Sequence, residues 1–145
     1  MTQRGHARAS ERQLLQNLRD RIDSGAATIR EHLDYGVLLM EPFHEEEAAL
    51  EVFDRILAME PTNVEAAVWK GYLSVHYLMK EESLQDAIRV LDRVIEAHPG
   101  SSGSAWLVSA LAAEQLHPED STTAIPLLES SVCAEPTWAL NHYLL

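Results

Sequence analysis

The residues of this chain that could do chemistry are seven histidines, one cysteine and 23 acids, and their spacing decides which chemistry is open to them. The histidines are scattered, with no H-E-x-x-H pattern and no closely spaced pair, so no metal site is expected. Cys133 stands alone, which rules out an intrachain disulfide and a thiolate metal cluster. Beside Val132 on an apolar helical stretch, it reads as a buried structural thiol rather than a nucleophile. No GxSxG, P-loop or GxGxxG motif occurs. An enzyme therefore has no constellation behind it, and neither catalysis nor a cofactor is expected. The run "HEEE" at His44–Glu47 and the pair Glu81–Glu82 suit a cation or a basic partner. They suit equally well the first turn of a helix, where acids complement the dipole.

Charge narrows the class of partner. The net charge is −12 over 145 residues, unevenly placed. Residues 1–30 hold six Arg and three acids (6 − 3 = +3), and residues 31–145 hold five Lys or Arg and twenty acids (5 − 20 = −15). Such a body repels nucleic-acid phosphates and anionic membranes and attracts a basic protein. No apolar run approaches the length of a membrane span, and the basic N-terminus lacks the apolar core of a signal peptide. With a single cysteine, the chain is expected to be cytoplasmic.

The elements that would position any site are helices. Residues 1–9 read as a flexible basic tail and 10–145 as a single helical domain. Ser10, with Gln13 three places on, opens a helix with Leu14, Leu15, Leu18 and Ile22 on one stripe. "DSG" at Asp23–Gly25 is a break, and Ile29, Leu33, Val37 and Met40 resume the period. Pro42 ends that segment or starts the next. Then one sentence is written three times: "ALEVFDRILAMEP" (49–61), "AIRVLDRVIEAHP" (87–99) and "AIPLLESSVCAEP" (124–136). Between the copies lie further helical patterns, one capped by Asn63 and carrying Trp69 and Tyr72, another carrying Trp106 and Leu107. The proline-to-proline steps are 38 and 37 residues, the mark of a helical repeat array.

This pattern resembles the tetratricopeptide (TPR) repeat family. Ala49, Ala87 and Ala124 match its small residue early in the second helix, Phe53, Leu91 and Leu128 its large apolar position, and Pro61, Pro99 and Pro136 its closing proline. Gly71 matches the small residue of the first helix, with Gly36 as its counterpart upstream. The resemblance implies an all-α fold, a short right-handed superhelix of antiparallel helix pairs with about seven helices. The period exceeds the family's 34, and the extra residues fall around "MKEESLQD" and "LHPEDSTT". The resemblance also implies a partner-binding groove on the first helices. Its positions fall on Arg30, Leu33, Val37 and Met40, then Val68, Tyr72, Val75 and His76, then Trp106, Ala110, Ala113 and Glu114, with Leu140 and Tyr143 beyond. Tyr72, Val75 and Trp106 read as core residues as readily. The Lys and Asn with which some TPR domains clamp a chaperone's C-terminal carboxylate are absent.

The reading is a non-catalytic interaction protein that binds a protein or peptide, with no nucleic acid or membrane partner. A dedicated neutraliser of one basic client, as an immunity protein is to a toxin, or a secretion chaperone, stays open beside it. Homo-oligomerisation through the apolar end "NHYLL" stays open as well.

Overall fold

The computed structural model describes residues 3–41, 43–99 and 103–119, with 125, 126 and 129. Six α-helices and no strand occur among the described residues: α1 (Gln3–Asp23), α2 (Ile29–Met40), α3 (Glu46–Met59), α4 (Val64–Leu73), α5 (Glu81–Ala97) and α6 (Gly103–Leu116). A π-helical turn, Ser74–Leu78, extends α4. The third copy of the repeated sentence, with Cys133, Leu140, Tyr143 and the "NHYLL" end, lies outside the described residues apart from Ile125, Pro126 and Glu129, as does Pro42. Packing divides the chain into two compact units, Met1–Ile56 and Leu57–Leu145.

In the first unit the expected opening of a helix at Ser10 is corrected, because α1 starts at Gln3. Nothing between Gln3 and Ser10 forbids it: the stretch has one Gly and no Pro, and Arg and Ala favour helix. The "DSG" break is present, with Gly25 left-handed at φ 76° after the last turn. α2 opens on a capping box: the Glu31 N–H donates to Thr28 Oγ1 at 3.2 Å, and the Thr28 N–H donates back to Glu31 Oε1 at 3.3 Å. Arg21 of α1 also grips Glu31, its Nη2 donating to Oε1 at 3.0 Å. That hydrogen bond, ahead of those from Thr28, holds the Glu31 carboxyl below the ordinary carboxylate range. Arg19 Nε donates to the Tyr35 hydroxyl at 3.1 Å, which ties the buried Tyr35 to α1.

The second unit is built on Ala67, Leu91, Val94, Ile95, Ala105 and Val108, drawn from α4, α5 and α6. α4 is capped as expected, the Ala66 N–H donating to Asn63 Oδ1 at 2.9 Å. α3 stops at Met59 and α5 at Ala97, two residues before Pro61 and Pro99. Proline disfavours helix in the residue before it, so each end falls where the sequence puts it. Of the acids of the "HEEE" and "EE" runs, Glu46 and Glu47 stand in the first turn of α3 and Glu81 and Glu82 in that of α5.

Glycine decides how closely each pair closes. A methyl group at Gly36 would come within 2.7 Å of Phe53 Cε1 and 3.2 Å of Val52 Cγ1, so α2 and α3 meet only because no side chain intervenes. At Gly71 it would come within 2.5 Å of Val108 Cγ1 and 3.0 Å of Leu91 Cδ1, so α4 rests against both α5 and α6. The small-against-large matches of the repeat, Gly36 with Phe53 and Gly71 with Leu91, are thus physical contacts.

Candidate partner-binding surface

The buried residues of α4 and its π turn are Ala66, Ala67, Lys70, Gly71, Leu73 and Ser74. What remains forms a second stripe at spacings of three and four: Glu65, Val68, Trp69, Tyr72, Val75 and His76. Glu65 and His76 are exposed and the four between them are half-buried. The aromatic members touch in sequence. Trp69 meets Tyr72 edge-on at 5.7 Å between ring centres and 81° between planes. Tyr72 lies 4.5 Å from His76 at 51°, and 6.2 Å from Tyr77 at 55°. Four rings thus run as a ladder along one helix.

The π turn makes the last rung. Its wide register closes with the Met79 N–H donating to Ser74 O, five residues back, at 2.9 Å. Met79 then turns left-handed at φ 50°, an uncommon conformation for a residue with a side chain. The Ser74 hydroxyl donates to Lys70 O at 2.8 Å, a side chain joining the backbone ladder where the register changes. In an ordinary α-helix residues five apart do not share a face. The wider turn brings Tyr77 within reach of Tyr72.

Lys70 fixes the stripe from behind. It is only 4% exposed, and its Nζ donates to Asp86 Oδ2 of α5 at 2.5 Å. Arg89 Nη2 donates to the other carboxylate oxygen at 3.3 Å. A buried ammonium held to this carboxylate ties α4 to α5.

The other sequence-predicted positions divide. Leu33 and Met40 are corrected: at 3% and 1% exposed they are buried and offer no surface. Helical period alone does not separate a face that meets a neighbouring helix from one that meets solvent. Val37 is half-buried. Val68 and Trp106 pack against the core cluster of the second unit, and the Trp106 indole N–H reaches Pro99 O at 3.4 Å. Ala110 and Ala113 are buried and Glu114 is exposed. Tyr72 and His76 lie together at 4.5 Å between ring centres, and Val75 is half-buried. Trp69 and Tyr77, which the sequence reading did not place in the groove, meet Tyr72 as well. Trp69 had a signal, since it lies three residues before Tyr72; Tyr77 had none, because its place depends on the π register. Among the described residues no group of His, Cys, Asp and Glu is arranged to hold a metal ion, and no helix is long and apolar enough to cross a membrane.

Helices paired through a glycine and a large apolar residue define a tetratricopeptide-type repeat fold. Two solved structures of MamA, a TPR-containing protein, share it. A double mutant of MamA RS-1 is 22% identical with a TM-score of 0.69, covering 92% of this chain and 71% of that one. The "41-end" form from Desulfovibrio magneticus RS-1 is 23% identical, with the same TM-score of 0.69 and the same coverage. No protein-family model and no curated protein matches the chain.

Proposed function

We propose that this protein is a non-catalytic interaction protein that holds a segment of another protein against the ring ladder of α4. The observation that carries the reading is the ladder itself: Trp69, His76 and Tyr77 each meet the ring of Tyr72, and all four are exposed or half-buried. Rings bury much area for little lost freedom, so such clusters anchor interfaces. Nothing in the sequence supplies a nucleophile with a base, so binding is the whole of the expected work. The TPR-type fold supports the same reading, since its repeats stack to present side chains from successive first helices.

The net charge of −12 favours a narrower form of this function, a dedicated partner of one basic client such as a toxin neutraliser or a secretion chaperone. The test is affinity capture from native lysate, at low and high salt, by the wild-type chain and by Tyr72→Ala. Proteins held by wild type and lost by a folded Tyr72→Ala support the proposal. Identical capture by the two overturns it. Association that weakens steeply with salt marks the basic-client form.

A further inference from the structure

We propose that the ring ladder selects cationic side chains, arginine above all, so that the segment it holds is basic; this rests on the interaction function just given. Two independent features support it. The first is ring geometry. The three contacts around Tyr72 are tilted or edge-on, at 81°, 51° and 55°, and none is a face-to-face stack. Each such contact covers at most one face of one of its two rings, and an aromatic face is where a guanidinium or ammonium is attracted by the ring quadrupole. Trp and Tyr are the strongest such acceptors, and guanidinium the commoner guest.

The second feature is charge. Residues 57–145 hold four basic and twelve acidic residues (4 − 12 = −8). Two of the four cations, Lys70 and Arg89, are drawn onto Asp86. Glu65 stands exposed one turn before Trp69 on the same stripe. A cation reaching the rings thus enters a negative field and meets apolar area from the half-buried Val75 for its aliphatic stem. An acidic segment would meet the same rings against that field.

The test separates ring attraction from general acidity. Nona-arginine amide and its neutral isostere nona-citrulline amide are titrated calorimetrically into the full chain, at 0.05 M and 0.5 M salt. The proteins are wild type, Tyr72→Phe, Tyr72→Leu and the double variant Trp69→Leu/Tyr72→Leu, each checked for folding by circular dichroism. The leucine variants keep the charge and most of the apolar area, and Tyr72→Phe keeps the ring. The expected result is nona-arginine bound at least tenfold more tightly than nona-citrulline. At 0.5 M salt, where the diffuse field is screened, affinity should fall at least fivefold in the double variant and stay within twofold in Tyr72→Phe. Equal binding of the two peptides overturns the inference. So does nona-arginine affinity that is the same in wild type and the double variant at 0.5 M salt, since charge alone would then account for it. Should Tyr72→Ala lose its captured protein while the peptides bind alike, the interaction function stands and only the cation preference falls.

Discussion

The first helices of the two described pairs, α2 and α4, align at glycines 35 residues apart, and the alignment separates what the fold demands from what it leaves free. Gly36 lies against Phe53 as Gly71 lies against Leu91. Eight residues after each glycine the chain turns left-handed, at His44 and at Met79. Two residues further on, the second helix begins, at Glu46 and at Glu81. The inward partners differ only in kind: Tyr35, tied to Arg19, stands where Lys70 is tied to Asp86. The outward stripe differs altogether. Asp34, Val37 and Glu41 occupy the places of Trp69, Tyr72 and His76. Thirty-five residues before Tyr77 is Pro42, which has no N–H to give, and α2 ends at Met40 where α4 runs on into a π turn. The repeat fixes spacing and close approach, and one first helix carries rings where the other carries Asp34, Val37 and Glu41.

The sharpest way to break this equivalence is to remove the large residue from each pair. Phe53→Ala and Leu91→Ala, both at fully buried sites, should each cost about 3–4 kcal/mol in urea unfolding. A cost below about 1 kcal/mol at either site would mean that its glycine contact is incidental. Next is the inward tie. Asp86→Ala should cost about 2 kcal/mol, less than for a fully buried pair because Asp86 is 46% exposed, and Tyr35→Phe about 1 kcal/mol. Comparable to the latter are Gly36→Ala and Gly71→Ala. Overpacking of about 1–3 kcal/mol is partly offset by roughly 1 kcal/mol of helix propensity, leaving a net loss of about 1 kcal/mol. A double-mutant cycle sharpens the point, since Gly36→Ala should cost less in a Phe53→Leu background.

The smallest expected effect is a pH dependence that starts from His32 of the first pair. His32 has its Nδ1 buried with no hydrogen-bond partner, while the matching residue of α4 is Ala67. Burial, reinforced by Arg55, holds the His32 pKa below its ordinary value of 6.5. The folded state thus binds this proton less readily than the unfolded chain. Its contribution is complete at high pH and is lost as pH falls through 6.5 toward the folded value. Wild type should lose more stability than His32→Ala between about pH 7 and pH 5. Parallel thermal unfolding curves across that window would refute the assignment.

Much of the fold was legible because its constraints are local. Pro61, Pro99, Asn63 and the "DSG" break act on their own neighbours and need no tertiary knowledge. The small and large residues of each pair were legible through the repeat, which states the same contact twice. Less was legible where a neighbour decides. Leu33 and Met40 carry the same helical period whether they face solvent or protein, and packing buries them. The extra length of the second pair is another case. Seven residues separate Glu46 from Phe53 and ten separate Glu81 from Leu91, so the addition lies inside α5, 17 residues long against 14 for α3. The π turn has no counterpart in a 3.6-residue period, and the contact of Tyr77 with Tyr72 lies across it.

The burial of Lys70 has a practical corollary for labelling. The chain holds two lysines, Lys70 and Lys80, and the first is enclosed on its carboxylate. An amine-directed dye or crosslinker should therefore modify, apart from the α-amino group, Lys80 alone. That residue is exposed two positions past the π turn, so an unmutated protein can carry a reporter next to that turn.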